Sequence, residues 1–338
     1  MWTEDKLNDL LTTPSAALVE DIQKIEGDVM ILGAGGKMGP TLCVLAKRAA
    51  QAAGVEKRVI AVSCFTDPIA TAYLRENGVE TISCDLLDTA ELRALPEVEN
   101  VIYMAGRKFG TDGQEWQTWA MNSTLPAFVA EKFKASRIVV FSSGNIYPLT
   151  PLAGGGSREC DPVGPIGEYP MSCLARERAF EFAANRYGTK VLIFRLNFAV
   201  DLRYGVLYDM AEKILHDKPI DLATPALNCI WQGSANEMAI RALLHASNPL
   251  KVLNVSGPET LSVQSTAKQL GEHLGKAPLF AGEAGQDAYL CDASQAAELF
   301  GYPAVSAKTL IRWQAEWILD GGRVLGKPTH FEERKGKY

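Results

Sequence analysis

The chain has 338 residues, 34 of them basic and 40 acidic, which gives a formal net charge of −6 at pH 7. This acidic balance argues against a nucleic-acid-binding protein, because such proteins need a concentrated positive field. Apolar residues make up 47% of the chain, which is enough for a buried core and too many for intrinsic disorder.

Membrane and secreted proteins are also disfavoured. No apolar run approaches the roughly 18 residues that cross a bilayer, and the polar, acidic start is unlike a secretory leader. The seven cysteines are an odd number without a Cys-x-x-Cys pair, which favours a reducing compartment over a disulfide framework or a zinc site. We therefore expect a cytoplasmic protein that holds no metal and contacts neither membrane nor nucleic acid.

Short apolar segments alternate with helical stretches through the first 200 residues, as in a parallel sheet with crossover helices. Two short helices are expected before residue 27. Strands are predicted at residues 29–32, 59–62, 81–84, 101–104, 138–141 and 191–194, with 252–255 returning to the sheet.

Local signals set the helix boundaries. The helix after the first strand should end at Gly54, and the next should begin at Asp67-Pro68, a cap followed by a first-turn proline. A helical stretch over 115–133 should break before Pro126. The helix over 169–185 is expected to pack through one face, formed by Leu174, Ala175, Phe182 and Ala183.

This order predicts an α/β fold, a doubly wound parallel sheet of the Rossmann type with a smaller C-terminal substrate domain. The alternation becomes irregular beyond residue 200. The predicted division is an N-terminal helical extension over 1–27, an NAD(P)-binding domain over 28–200 to which 228–258 return, and a mainly substrate-binding part over 201–338.

A glycine loop joins the first strand to its helix. Gly33, Gly36 and Gly39 have the spacing G-x-x-G-x-x-G, with Lys37 and Met38 between the last two. In a strand–turn–helix unit, such glycines make the tight turn, let the backbone approach a pyrophosphate and let helix and strand pack closely. The loop therefore predicts nucleotide binding, although a turn that needs positive φ is the alternative interpretation.

The end of the second strand bears on the choice between NAD and NADP. An acidic residue there would bind the ribose 2′-hydroxyl and repel a 2′-phosphate. This chain has Ser63, which tolerates a phosphate, and Arg58 or Lys37 could add positive charge. Both cofactors therefore stay open.

A serine pair and a tyrosine follow the fifth strand at a characteristic distance. Ser142-Ser143-Gly144-Asn145-Ile146-Tyr147 comes directly after the strand, and Tyr169 lies 26 residues beyond Ser143. Together with the glycine loop, with Glu159 and Pro165, and with a late Asn254-Val255-Ser256-Gly257 stretch, these residues resemble the extended short-chain dehydrogenase/reductases, the NAD-dependent epimerase/dehydratase family. The resemblance covers residues 28–320.

The resemblance implies roles for individual residues. Ser143 and Tyr169 would be the catalytic pair, in which the serine hydrogen-bonds the substrate oxygen and the tyrosine is the acid or base. The cofactor site would comprise Gly33, Gly36, Lys37, Met38, Gly39, Ser63, Asp85, Leu86, Ala105, Gly106, Lys108, Asn122 and Cys173. Substrate contacts would come from Asn145, Asn197 and Arg203.

One catalytic part of the family pattern is missing. The family places a lysine four residues after the tyrosine, where it lowers the tyrosine pKa, and this chain has Cys173 there. A free tyrosine titrates near pH ~10, so forming tyrosinate at neutral pH costs about 4 kcal/mol. Three explanations stay open: another cation (Arg107, Lys108 or Arg176) substitutes, Tyr169 acts as a neutral hydrogen-bond donor, or the site is catalytically silent.

The sequence therefore predicts an NAD(P)-dependent enzyme that carries out oxidoreduction or epimerisation at a secondary alcohol of a sugar or nucleotide-sugar. A dehydratase is not expected, because the family's dehydratases carry an Asp-Glu pair where this chain has Gly144-Asn145. The alternative is a catalytically silent NAD(P)-binding sensor or regulatory protein. The resemblance also implies a homodimer.

Overall fold

Seven parallel strands form the central sheet of the computed structural model, which describes residues 1–337. The strands are β1 (Val29–Leu32), β2 (Val59–Ser63), β3 (Glu80–Ser83), β4 (Asn100–Tyr103), β5 (Arg137–Ser143), β6 (Lys190–Leu196) and β7 (Lys251–Val255). Their spatial order is β7-β6-β5-β4-β1-β2-β3. The strand order reverses direction at β1, so the crevice between the carboxyl ends of β1 and β4 is where such sheets bind ligands.

Thirteen α-helices accompany the sheet within residues 1–337. They are α1 (Glu4–Thr12), α2 (Ala16–Lys24), α3 (Gly39–Ala52), α4 (Pro68–Glu76), α5 (Thr89–Ala94), α6 (Glu115–Trp119), α7 (Leu125–Lys132), α8 (Glu168–Tyr187), α9 (Val206–Leu215), α10 (Gln232–Arg241), α11 (Val263–Leu274), α12 (Ser294–Phe300) and α13 (Ala307–Leu319). The predicted α/β fold is confirmed, and β7 pairs with β6 in parallel register.

Local sequence signals determine where several of the helices begin or end. Asp67 caps α4 by accepting hydrogen bonds from two backbone N–H groups, and Ser15 caps α2. The predicted break before Pro126 is a π-helical turn over Ala120–Thr124 that joins α6 to α7. The central strands are buried on both faces, which explains apolar runs such as the one over Val29–Leu32, whereas the edge strand β3 is partly exposed and has a polar sequence.

A second apolar cluster lies outside the sheet. Residues of α9, α11 and α13 form it together with Trp2 and Leu7 of the N-terminal segment and Phe331 near the C-terminus. Trp317 is fully buried there, and its ring makes an edge contact with Trp2. The first and last segments of the chain are therefore part of the packing of the C-terminal half. Tyr338, the last residue of the predicted substrate part, lies outside the described residues.

None of the helices described between residues 1 and 337 is both long and apolar enough to span a membrane. All seven cysteines are free thiols.

Candidate active site

A cleft of about 300 Å³ opens at the carboxyl ends of the central strands. Its lining comes from the loop after β1, the segment 104–109 after β4, the end of β5, the end of β6, the start of α9 and the segment near residue 328. This is the crevice at which the strand order reverses. The residues that line this cleft therefore come mainly from loops that the rigid sheet holds in place.

The three glycines of the first loop have different surroundings. A side chain at Gly33, whose φ is +87°, would lie 2.5 Å from the backbone nitrogen of Ala105, and one at Gly39 would lie 2.3 Å from the carbonyl oxygen of Ala34. Gly36 is open, because the nearest atom to an added Cβ is the Gly33 carbonyl oxygen at 3.4 Å. Gly33 and Gly39 are thus required by packing, whereas Gly36 leaves its backbone accessible in the cleft.

Lys37 and Met38 also line the cleft. The Lys37 ammonium lies 3.1 Å from the centroid of the Tyr204 ring. Burial lowers the pKa of Lys37 well below its usual range, and repulsion by Lys108 and Lys327 lowers it further. The helix that follows, α3, starts without a side-chain cap, and its N-terminal end, with the positive end of the helix dipole, is at the cleft.

The residues predicted at the ends of β2 and β3 lie at the side of the glycine loop. A Cβ on Gly35 would come within 2.5 Å of the Ser63 hydroxyl. Asp85 and Leu86 follow β3, where the exposed Asp85 carboxylate accepts a hydrogen bond from the backbone of Leu87. Arg58 does not reach this end, because it precedes β2 and pairs with Glu80 and Asp28.

Ser143 and Tyr169 meet in the cleft. Ser143 ends β5 and Tyr169 lies in the first turn of α8, and both side chains line the cleft. Asn145 also lines the cleft, and its backbone N–H donates to the Ser143 hydroxyl at 3.1 Å. Burial and the neighbouring Cys173 thiol raise the pKa of Tyr169 well above its usual range, and Arg176 and Ser143 partly oppose this shift.

Cys173 lies behind the tyrosine, outside the cleft lining. It is fully buried in an apolar cluster with Ile146, Tyr147 and Cys291, against which Tyr169 packs. Burial raises the pKa of the Cys173 thiol. The residue that stands where the family has a lysine is therefore a packed neutral thiol, and its predicted cofactor contact stays a prediction.

Arg176, one turn further along α8, is the cation that acts on Tyr169. Its guanidinium donates to the Phe141 carbonyl at 2.8 Å and to the Asn122 side-chain oxygen at 2.7 Å. It lines the cleft, and its charge lowers the pKa of Tyr169 against the effect of burial. Its Nε has no hydrogen-bond partner in the structure.

Lys108 reaches the cleft from the segment after β4. Its ammonium lies 5.6 Å from the centroid of the Tyr169 ring and donates to the Thr329 carbonyl at 3.1 Å. Burial lowers the pKa of Lys108 to about 8. Ala105 and Gly106 precede it, and Gly106 has no room for a side chain because the Arg176 guanidinium would lie 2.5 Å from its Cβ.

Three predicted site residues point elsewhere, because tertiary partners hold their polar groups. Asn122 is buried in the π-helical turn and bonds to the backbone of Arg107 and to the Ser172 hydroxyl. Asn197 donates to the side chain of Asn228, so it does not line the cleft as a substrate contact. Neither residue is among those that line the cleft.

Arg203 is the third of these corrections. Its guanidinium forms a buried ion pair with Asp201 and also binds Glu4 of α1. Glu4 belongs to α1, whereas Asp201 is two residues before Arg203, and Arg203 is not among the residues that line the cleft. The expected phosphate or carboxylate contact is therefore wrong for Arg203, whose role is to fasten α1 to the C-terminal half.

A buried polar network supports β5 from behind. The Glu177 carboxylate accepts from the Ser142 hydroxyl at 2.6 Å and pairs with Arg195 at 2.7 Å. Arg195 also donates to the Tyr147 hydroxyl, which in turn donates to Asn254. This network fixes the strand end that presents Ser143.

Sequence reasoning missed the contribution of the last segment of the chain. Lys327 and Thr329 line the cleft, although they lie more than 120 residues beyond the preceding lining residue, Val206. The sequence offers one signal, an apolar Phe331 inside a charged stretch, and that ring is buried.

The sequence profile of the NAD dependent epimerase/dehydratase family matches residues 29–248. The chain belongs to this family. No curated protein matches it by sequence. Membership agrees with the glycine loop and the Ser143–Tyr169 pair, whose individual roles remain predictions.

Solved structures show the same fold at low identity. UDP-glucuronic acid 4-epimerase from Bacillus cereus, in complex with NAD, is 18% identical with a TM-score of 0.70, over 87% of this chain and 99% of that one. UDP-glucose 4-epimerase from Thermus thermophilus, also with NAD, is 19% identical with a TM-score of 0.68, over 86% and 98%. dTDP-glucose 4,6-dehydratase from Bacillus anthracis, with NAD, is 13% identical with a TM-score of 0.73, over 87% and 96%.

Proposed function

We propose that this family member binds NAD and interconverts a secondary alcohol and a carbonyl of a sugar or nucleotide-sugar, by oxidoreduction or epimerisation. The observation that carries the proposal is the placement of Ser143 and Tyr169 in the same cleft as the glycine loop. Solved structures of the same fold act on UDP-glucuronic acid or UDP-glucose, which supports this class of substrate.

The residues around the glycine loop fit a dinucleotide. Gly36 leaves room for a close approach to its backbone, α3 begins at the cleft, and Lys108 and Arg176 bring positive charge to it. A pyrophosphate needs close backbone approach, a helix N-terminus and positive potential. Lys37, Met38 and the N-terminal turn of α3 would therefore hold the NAD pyrophosphate.

The surroundings of Ser63 favour NAD over NADP. Burial and the carboxylates of Asp85 and Glu91 raise the pKa of Cys64, the residue directly after Ser63. A negative potential at this strand end would repel a 2′-phosphate. Arg58, the nearest basic residue along the chain, is paired at the opposite end of β2.

Bound NAD supplies the acceptor and donor of a hydride at the substrate carbon. We assign proton transfer at the substrate oxygen to Tyr169, and a hydrogen bond to the same oxygen to Ser143. Because Tyr169 keeps its proton at neutral pH, the resting site is set to donate a proton to a carbonyl oxygen. Alcohol oxidation additionally requires the tyrosinate form.

Arg176 partly replaces the missing lysine, because it also lowers the pKa of the tyrosine. Its guanidinium is held rigidly by Phe141 and Asn122, and it lowers the pKa of Tyr169. It does not fully offset burial, so the neutral-donor explanation and the substitute-cation explanation both apply to this site. Lys108 contributes positive charge to the same cleft.

A catalytically silent NAD-binding protein is the second candidate, and the packed Cys173 is the observation that favours it. The two candidates differ in turnover. A silent protein would bind NAD without any nicotinamide absorbance change at 340 nm for any sugar or nucleotide-sugar offered.

We also propose a homodimer that pairs α7 and α8 with their counterparts. Both helices leave a large apolar side chain exposed, Phe128 on α7 and Phe182 on α8. Apolar surface of this kind is suited to burial between two copies.

Release of the bound nucleotide tests the cofactor assignment. The purified protein is denatured, and the supernatant is analysed by mass. Recovery of NAD supports the proposal, and if none is retained, titration of the folded protein with NAD must show binding. NADP in its place would contradict the reading of Ser63, and failure to bind either nucleotide would refute the proposed function.

A further inference from the structure

The C-terminal segment 326–337 crosses the rim of the cleft. At its centre, the Thr329 backbone N–H and hydroxyl both donate to the Asp209 carboxylate of α9, at 2.7 and 2.5 Å. On the other side, Lys108 donates to the Thr329 carbonyl at 3.1 Å. Thr329 therefore bridges the sheet side and the C-terminal side of the cleft, and it is almost fully buried.

The segment is anchored on both sides of Thr329. Before it, the Leu325 N–H donates to the Arg203 carbonyl at 2.9 Å. After it, Phe331 packs into the second apolar cluster, and Glu332 pairs with Lys213 of α9. Arg334 donates to the Ala223 carbonyl at 2.8 Å. These contacts hold the segment as a fixed wall of the cleft.

The same segment also reaches the start of the tyrosine helix. A side chain at Gly167, the residue before α8, would collide with the backbone of Gly336. The wall therefore runs from Arg203 across the cleft to the turn that positions Tyr169. A chain segment in this place contacts whatever binds beside the catalytic pair.

Lys327 lies between the two anchors Leu325 and Thr329 and lines the cleft with Lys37 and Lys108. These three lysines come from three distant parts of the chain. Among residues 1–337, neither Lys37 nor Lys327 has a carboxylate oxygen within 4 Å. The nearby Asp209 is engaged by Thr329, and Asp201 by Arg203. Lys327, Lys108 and Arg176 therefore bring positive charge to this cleft of an acidic protein, which favours an anionic ligand.

We propose that segment 326–330 is a wall of the substrate site and that Lys327 is a specificity-determining residue, which binds an anionic group of the substrate, either phosphate or carboxylate. This inference rests on the proposed function. We assign Lys327 to the substrate because the backbone on either side of it is bonded to Arg203 and to Asp209 of α9, in the C-terminal half, whereas the glycine loop belongs to the sheet half. Thr329 is also held by Lys108 from the sheet side, so the NAD titrations below are needed to separate the two ligands.

Binding measurements on the full chain test this inference. UDP, glucuronate and glucose serve as probes of a phosphate, a carboxylate and a neutral sugar, and each is titrated calorimetrically into NAD-saturated and nucleotide-free protein. The variants are Lys327→Gln, Lys327→Arg as a charge-preserving rescue, and Lys335→Gln as the matched control. Lys335 is an exposed lysine of the same segment.

We expect Lys327→Gln to weaken UDP or glucuronate binding about ten-fold, with Lys327→Arg close to the unmodified protein and Lys335→Gln unchanged. Loss for UDP identifies phosphate recognition, and loss for glucuronate identifies a carboxylate. Glucose and NAD affinities should not change.

Three results would overturn the inference: weaker NAD binding with unchanged anion affinities, an equal loss in Lys335→Gln, or no measurable binding of either anion at millimolar concentration. Failure of the unmodified chain to bind NAD would instead refute the proposed function. The titrations of nucleotide-free protein would still report on Lys327.

Discussion

Gly36→Ala should separate cofactor binding from folding. The added methyl group would lie no closer than 3.4 Å to any atom beyond its chain neighbours, and the Gly36 backbone is outside the left-handed region. The folded chain therefore accepts alanine. Because alanine restricts the unfolded chain, we expect stability to rise by about 0.4–1 kcal/mol or to stay unchanged.

The same methyl group would fill the place where the backbone meets the pyrophosphate of NAD. We expect the dissociation constant for NAD to rise at least about ten-fold, which corresponds to about 1.4 kcal/mol. Gly39→Ala should behave differently, because its Cβ would lie 2.3 Å from the Ala34 carbonyl oxygen. That substitution should lower stability by about 1–3 kcal/mol through overpacking.

Calorimetric titration with NAD and urea unfolding measure the two effects separately. Gly154→Ala is the control, because no atom lies within 4 Å of its added Cβ. If Gly36→Ala binds NAD as tightly as the unmodified chain and is equally stable, the glycine loop does not hold the pyrophosphate. The reasoning from the loop to the cofactor would then be refuted.

Two further predictions concern proton transfer and assembly. Burial and the Cys173 thiol raise the pKa of Tyr169, so kcat/KM for alcohol oxidation should rise about ten-fold per pH unit between about pH 7 and 9. The kcat/KM for carbonyl reduction should stay nearly constant over the same range. An oxidation profile that levels off near pH 7 would contradict a neutral resting tyrosine. In sedimentation, the protein should have twice the mass of one chain. The Phe182→Asp variant should be monomeric, because Phe182 is 61% exposed on the proposed interface. A monomeric unmodified chain would disprove the dimer.

Most of the sheet could be predicted because its central strands are buried on both faces. Val29–Leu32 and Asn100–Tyr103 are fully buried, so their apolar runs stand out in the sequence. Helix starts such as Asp67-Pro68 could also be predicted from the sequence, because capping is a local interaction. By contrast, the six-residue helix α5 gave no periodic signal, and only its Asp88 cap marks it.

The face of α8 could not be predicted, because tertiary partners reverse the usual polarity. Phe182 is exposed, whereas Arg176 and Glu177 are buried. Arg176 is satisfied by Phe141 and Asn122, and Glu177 by Arg195, all from other elements. A sequence pattern contains no information about these distant partners, so the expected apolar face including Phe182 was wrong.

The residues at the substrate end of the site could not be predicted, for the same physical reason. Arg203 follows β6 and was expected in the cleft, but Glu4 and Asn8 of α1 approach it from the other side. The C-terminal segment is charged, which is typical of solvated surface, yet Asp209 and Lys108 fix Thr329 in the cleft. Hydrogen bonds and ion pairs to residues distant in the sequence decide where Arg203 and Thr329 lie.

Turnover by Tyr169→Phe is the most direct test of the central claim, that the Ser143–Tyr169 pair performs proton transfer beside bound NAD. The assay follows nicotinamide absorbance at 340 nm with UDP-glucose and UDP-glucuronic acid, together with product analysis for internal redox, and Tyr302→Phe, an exposed tyrosine, is the control. We predict that Tyr169→Phe loses at least about 100-fold in kcat while its NAD affinity and melting temperature are preserved. Unchanged turnover in Tyr169→Phe would contradict the assignment.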